Sequence, residues 1–153
     1  PIFFIQKRNG VNNREFNCLK FRSMTPNDYA DTHQAVKNDP RVTRIGSFLR
    51  TSSLDEMPQF INVLLGDMSI VGPRPHMVEH DIKYSELFSN FLKRHKCSPG
   101  LTGWAQVNGR DELSIPEKVS FERDYMNQRS LSFDVYIIWL TLLKVIRNDG
   151  ISH

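Results

Sequence analysis

The spacing of apolar and polar positions divides this 153-residue chain into a short β-rich start and a longer helical remainder. Residues 1–6 (PIFFIQ) are an apolar run and residues 15–22 (EFNCLKFR) alternate in polarity. The loop Arg8-Asn9-Gly10-Val11-Asn12-Asn13 lies between them, so the pattern predicts a β-hairpin. A two-residue period places Cys18, Lys20 and Arg22 on one face of the second strand and Leu19 and Phe21 on the other. Two cations thereby point the same way from a stiff element.

Residues 25–40 are polar and bounded by Pro26 and Pro40, which predicts a loop with a short helix. In residues 41–50 (RVTRIGSFLR), Val42, Ile45 and Leu49 share a helical face, with Arg41 and Arg44 off it. A second helix is expected from Leu54 to Leu65, with Gly66 where a left-handed C-terminal cap would stand. Gly72-Pro73-Arg74-Pro75 forces a turn. After it, Val78, Ile82, Leu87, Phe88, Phe91 and Leu92 mark one long amphipathic helix ending in Lys93-Arg94-His95-Lys96, a basic cluster that complements the helix dipole. Residues 98–110 (SPGLTGWAQVNGR) hold three glycines without helical period and read as a loop, while residues 116–128 read as helix. Val135 to Ile146 is apolar nearly all round and too short to span a bilayer at about 1.5 Å per residue. It reads as a core helix, or as one lying at an interface with Tyr136 and Trp139 as anchors. No repeat, linker or domain boundary interrupts the pattern. The expected fold is therefore α+β: a mainly helical single domain, residues 1–153, with an N-terminal β-hairpin and surface amphipathic helices.

Composition narrows the class. With 39% hydrophobic and 24% charged residues the chain is an ordinary globular domain, which excludes a disordered or low-complexity one. No run reaches the roughly eighteen apolar residues of a membrane-spanning helix, and no signal-peptide pattern is visible. A net charge of +3 is too mild for a nucleic-acid binder, but it is unevenly spread. Residues 1–50 carry nine Lys/Arg against four Asp/Glu, whereas residues 51–153 carry eleven against thirteen. Positive charge gathered in one third of a domain suggests an anionic partner. Cys18 and Cys97 are far apart, so neither a zinc knuckle nor a disulfide scaffold is indicated.

Four constellations could carry chemistry. Ser52-Ser53-Leu54-Asp55-Glu56-Met57-Pro58 reads in one way as a capping box, Ser53 with Glu56. Pro58 argues against that register, because it would lie beyond the first turn. In the other reading Asp55, ionised at neutral pH, is a nucleophile for phosphorus that needs no general base. The cations Lys20, Arg22, Arg50, Arg74 and Arg110 are either solvated surface charges or phosphate contacts. Arg74 stands out because a proline on each side pre-positions its guanidinium fork. The glycine-rich segment is no Walker motif; Thr102, Gln106 and Asn108 could face a nucleotide or sugar with Trp104 stacked on it, or Trp104 could anchor a packed loop. His76-Met77-Val78-Glu79-His80 matches the H-x-x-E-H pattern of a zinc hydrolase, but no third ligand is visible and a solvated helix face explains it more simply.

Taken together the segments resemble the bacterial sugar transferase family, the monotopic phosphoglycosyl transferases. The matching strings occur in family order: PIFFIQKRNG, LKFRSM, DPRVTRIGSFLRTSSLDEMPQFINVLLGDMSIVGPRP, SPGLTGWAQVNGR, Ser-Leu-x-x-Asp at Ser130 to Asp134, and an apolar C-terminal helix. The resemblance covers nearly the whole chain. It implies an enzyme that moves a sugar 1-phosphate from a UDP-sugar donor to polyprenyl (undecaprenyl) phosphate, releasing UMP, with Mg²⁺ as cofactor. Such a step initiates surface glycan assembly: exopolysaccharide, lipopolysaccharide or capsule. The family's Asp-Glu dyad maps onto Asp55 and Glu56. Asp55 would form a covalent phosphosugar, and Glu56, with Asp55, would hold the metal. Lys20, Arg50 and Arg74 become the first phosphate contacts, with Arg22 and Arg110 behind them. The zinc reading falls away, since His76 to His80 lies in a stretch the family varies. The resemblance also implies an N-terminal helix that dips into the cytoplasmic leaflet of the bacterial inner membrane and returns. The chain begins at Pro1, after the point where that helix would end, so the expectation is a catalytic domain without its anchor, soluble as it stands, whose full-length form works on the membrane surface. A homodimer is the assembly considered and nucleic acid is not an expected partner. The competing reading is a non-enzymatic basic module that binds anionic lipid or nucleic acid.

Overall fold

The structure is a computed structural model and describes residues 1–27, 36, 39–88, 91–109 and 112–147. The hairpin forms from β1 (Phe3–Asn9) and β2 (Glu15–Phe21), antiparallel, with Phe3 opposite Phe21 and Asn9 opposite Glu15. A 3-10 turn at Val11–Asn13 joins them, with Asn12 and Asn13 at positive φ, a conformation asparagine adopts more readily than most residues. On the inner face the period of two aligns Phe4, Gln6 and Arg8 with Cys18, Lys20 and Arg22, and all six line one cavity. The short helix expected within residues 25–40 falls largely outside the described residues.

The first helix starts later than the pattern suggests. α1 is Arg44–Thr51, and Thr43 caps it by accepting from the Gly46 amide at 2.9 Å. Val42 is drawn instead into a bridge with Met24. Gly46 permits close packing: a Cβ there would lie 1.8 Å from the Ser23 carbonyl oxygen. The helix expected from Leu54 to Leu65 is split into a 3-10 turn, Leu54–Glu56, and α2, Gln59–Leu64, because Pro58 can begin a helix but not continue one. Gly66, at φ 83, ends it in the expected left-handed conformation.

Two further expectations are corrected. The long helix of residues 78–96 breaks: α3 is Val78–Leu87, Phe88 is extended, and Phe91–Lys96 is a separate 3-10 segment. That break serves buried charge. Arg94 Nη2 reaches Glu122 Oε1 at 2.8 Å and His95 Nε2 lies 3.2 Å from Asp81 Oδ2, so two members of the basic cluster sit inside the protein instead of trimming a helix dipole. The glycine-rich segment is likewise not a plain loop. β4 (Gly100–Thr102) pairs in parallel with β3 (Ser69–Val71), and α4 (Trp104–Val107) follows. Glycine is required in that pairing, since a Cβ on Gly100 would lie 2.1 Å from the Gly72 nitrogen.

Trp104 resolves to packing: its ring meets Phe133 at 5.0 Å and Phe121 at 6.4 Å. α5 (Ile115–Gln128) starts at a real capping pair, in which Glu117 Oε2 accepts from the Ser114 amide at 2.8 Å. α6 (Leu131–Arg147) is apolar on two sides. Ile137 is fully buried and packs with Val71, Val107 and Tyr125, while Leu131, Val135, Trp139, Leu142 and Ile146 form an exposed stripe at helical spacing. Tyr125 Oη donates to Asp134 at 2.8 Å and ties α5 to α6, so the Ser-Leu-x-x-Asp segment has a structural use. A smaller cluster of Phe16, Cys18 and Met68 lies beneath the hairpin. The fold is α+β and mainly helical. Among the described residues no helix is long and apolar enough to cross a membrane.

Candidate active site

The site begins with how β2 and α2 are joined. Asn62 on α2 is buried, accepts from the Leu19 amide at 3.0 Å and donates to the Asn17 carbonyl at 2.8 Å. One amide side chain thus satisfies two strand groups that a further β-strand would otherwise have to pair. It also holds the 3-10 turn of Asp55 and Glu56 against the cationic face of the hairpin. Ser53, just before that turn, has φ 55 and ψ 15, a left-handed conformation that costs a non-glycine residue about 1–3 kcal/mol. Its side chain makes no capping hydrogen bond, so the capping-box reading is set aside.

Glu56 is committed elsewhere. Lys20 Nζ lies 2.9 Å from Glu56 Oε1 and Arg74 Nη2 lies 2.6 Å from the same oxygen. The Gly72 to Pro75 turn therefore does aim a guanidinium into the site. Asp55 lies beside Glu56, half-buried, and its carboxylate makes no hydrogen bond or ion pair with any described residue. Burial pushes its pKa above the ordinary aspartate value, Glu56 adds to that push, and Lys20, Arg50 and Arg74 pull against it.

Asp55, Glu56, Lys20, Arg22, Arg50 and Arg74 all line one cavity of about 510 Å³. They are not equivalent there. Arg50 donates to Ser23 Oγ at 2.8 Å, whereas Arg22 is spent on the carbonyls of Pro1 and Phe3 at 3.1 and 3.3 Å. Arg110 lies outside the described residues. Sequence reasoning missed Arg8 and Gln6, which share the cavity face; extending the two-residue period from the second strand to the first would have found both. It also missed Asn62, for which nothing in the sequence gives a signal.

The histidine pair is not a metal site. His76 is half-buried with Nδ1 accepting from Arg94 Nη1 at 2.7 Å, and desolvation holds its pKa well below the usual histidine value, with Arg94 acting in the same direction. Among the described residues no three His, Cys, Asp or Glu side chains are grouped to hold a metal. A magnesium ion makes a smaller demand: one or two carboxylates, with phosphate oxygens and water completing its octahedron. Asp55 and Glu56, adjacent in one cavity with Asp55 uncommitted, fit that demand.

Comparison with known proteins follows the same lines. A sequence model described as bacterial sugar transferase matches residues 1–148. The chain is 50% identical over 153 residues to the UDP-glucose:undecaprenyl-phosphate glucose-1-phosphate transferase of Xanthomonas campestris pv. campestris, covering 95% of this chain and 32% of that protein. It is 50% identical over 157 residues to the protein of the same name from Escherichia coli (strain K12), covering 98% and 34%. The Klebsiella pneumoniae protein of that name is 47% identical over 156 residues, with 98% and 34% covered. The chain spans about a third of the length of these curated relatives.

Proposed function

Since this chain belongs to the bacterial sugar transferase family, we propose that it carries the transfer chemistry itself, moving a sugar 1-phosphate from a UDP-sugar to polyprenyl phosphate. The observation that supports this most is the asymmetry of the dyad: Glu56 fixed by two cations, Asp55 uncommitted and facing the same cavity. UDP-glucose is the first donor to try, because the relatives' names print it.

In the first step an Asp55 carboxylate oxygen attacks the phosphorus that bears the sugar. The bond from that phosphorus to the bridging oxygen breaks, UMP leaves with that oxygen, and a phosphosugar remains on Asp55. In the second step an oxygen of the lipid phosphate attacks the same phosphorus, the Asp55 oxygen–phosphorus bond breaks, and the carboxylate is restored. No proton has to be removed from the nucleophile, so the demand is for charge neutralisation. Lys20, Arg74 and Arg50 supply it at the diphosphate, and the pairing of Lys20 and Arg74 with Glu56 orients both before substrate arrives. Mg²⁺, held by Glu56 and Asp55, would add Lewis-acid neutralisation of the phosphate oxygens. The exposed stripe of α6, with Ile45 and Phe48 on α1 and Leu64 and Leu65 of the α2 segment, supplies apolar surface for the membrane on which the lipid acceptor lies.

The test is UMP release from a panel of UDP-sugars with Mg²⁺ and polyprenyl phosphate, together with mass spectrometry of the protein after donor alone. Wild type should carry a phosphosugar on Asp55, and Asp55→Asn should lose both adduct and turnover by at least about a thousandfold. Adduct or UMP at wild-type levels in Asp55→Asn would refute the nucleophile. No UMP from any donor, with salt-sensitive binding to anionic lipid or nucleic acid that survives the substitution, would favour the basic-module reading.

A further inference from the structure

We propose that Arg8 is an anion receptor of the cavity, seating a phosphoryl group of the substrate across from Arg74; the identity of that anion rests on the function proposed above. Arg8 stands on the inner face of β1, in line with Gln6 and opposite Phe16 of β2, and it lines the cavity that holds Asp55 and Glu56. Like Arg50, which bonds to Ser23 Oγ in the same cavity, it differs from three ion-paired arginines. Arg41 is paired with Asp39 at 2.6 Å, Arg74 with Glu56 at 2.6 Å and Arg94 with Glu122 at 2.8 Å. Arg8 forms no ion pair with a described residue, and its hydrogen bond is from Nη2 to Gln6 Oε1 at 2.5 Å. Of five N–H donors, the others are left without a described partner.

The electrostatics point the same way. The Arg8 pKa is depressed to about 10, chiefly by burial and also by the neighbouring charge of Arg74, while Cys18, Asp81 and Glu56 oppose the shift. Arg8 is still protonated at neutral pH, so it is a half-buried charge, repelled by Arg74 and in no ion pair with a described carboxylate. Such an arrangement is costly in a folded protein. A phosphoryl group between the two guanidiniums relieves both the desolvation and the repulsion, and the planar fork of each matches it in a bidentate way. Two phosphate-bearing substrates visit this cavity under the proposed reaction, one with the donor's diphosphate and one with the acceptor's monophosphate. Both present the same chemistry to Arg8.

The experiment uses the full chain with Arg8→Gln and Arg8→Lys, and Lys7→Gln on the same strand as the control, since Lys7 is exposed and pairs with exposed Glu15. Calorimetric titration with inorganic pyrophosphate and with UMP should show Arg8→Gln binding at least one of them about ten- to a hundredfold more weakly. Arg8→Lys should fall between it and wild type, and Lys7→Gln should match wild type. Kinetic half-reactions then separate the sources. A raised KM for the UDP-sugar, with normal discharge of the Asp55 adduct to polyprenyl phosphate, assigns Arg8 to the donor's diphosphate. Normal UMP release with a raised KM for the lipid phosphate assigns it to the acceptor. If Arg8→Gln does not fold, Arg8→Lys decides: a KM or dissociation constant raised several-fold at unchanged melting temperature supports the receptor. Wild-type binding of both anions and unchanged half-reactions in the folded variants overturn it. If wild-type protein itself releases no UMP, the proposed function fails, and the pyrophosphate titration still decides Arg8.

Discussion

Two clusters of paired charges are linked by a hydrogen bond from Arg94 to the Arg74 carbonyl, yet they differ in what they leave open. In the cluster of Asp81, Arg94 and Glu122, with His76 and His95, the Arg94 and Glu122 side chains are 3% and 5% exposed. Asn9 donates to Asp81 at 2.8 Å, Asn13 contacts His95, and little capacity remains for a ligand. In the cluster of Lys20, Glu56 and Arg74 the cations are 22% and 30% exposed, and Asp55 and Arg8, neither in an ion pair with a described residue, sit beside them. Buried charge that is compensated holds a fold together. Charge that is half-buried and only partly compensated is a fold waiting for a substrate. The closed cluster also buttresses the open one, because Arg94 supports the turn that carries Arg74.

Breaking the closed cluster should have the largest effect on stability. Arg94→Met strands buried carboxylates and should cost about 3–5 kcal/mol, lowering the calorimetric melting midpoint by about 10 °C. A fall of only a degree or two would mean that the cluster does not hold the fold. Next comes pH. The Asp55 pKa is raised, the nucleophile must be ionised, and so kcat/KM should fall about tenfold per pH unit on an acid limb that lies above the usual aspartate value of about 3.9. A limb at the ordinary aspartate position would contradict the burial of Asp55.

The same shift has a smaller consequence for stability. A carboxyl whose pKa is raised on folding contributes stability when protonated, below its unfolded pKa, and loses that contribution as pH rises through the folded value. At neutral pH ionised Asp55 is therefore a cost, and Asp55→Asn should raise the melting midpoint by roughly 2–4 °C while abolishing transfer. The difference from wild type should shrink as pH is lowered towards 4. The smallest effect belongs to the exposed Lys7–Glu15 pair: Lys7→Gln should change stability by less than about 0.5 kcal/mol in chemical denaturation.

How legible each region was in the sequence follows from the kind of interaction that builds it. The hairpin, the Gly72 to Pro75 turn and the Gly66 cap are written in local periodicity and backbone restriction, and the structure bears them out. Cys18, Lys20 and Arg22 share a face because strands alternate. Where a long-range polar contact decides, local pattern misleads. The run from Val78 to Lys96 has good helical spacing, but Arg94 and His95 are taken by Asp81 and Glu122, and no local pattern announces partners so far away. Ser53 and Glu56 match a capping box by spacing, yet Lys20 and Arg74, brought in from two other elements, take the Glu56 carboxylate. Parallel pairing of β3 and β4 was hidden for a similar reason: three-residue strands are too short to show a period. The dyad itself was visible as an adjacent acidic pair beside Pro58, and the family resemblance gave it a role that spacing alone left open.

The period of two in the hairpin has a consequence for how such a sequence can drift. Alternate side chains of β1 and β2 enter the cavity, among them Phe4, Gln6, Arg8, Cys18 and Lys20, so inserting or deleting one residue within either strand would turn Lys20 or Arg8 to the far face and bring Leu19 or Ile5 inward. Along these strands the active site behaves like a reading frame, open to substitution but closed to a single-residue length change. Changes of length belong in the turn at Gly10 to Asn13, which lines no part of the cavity.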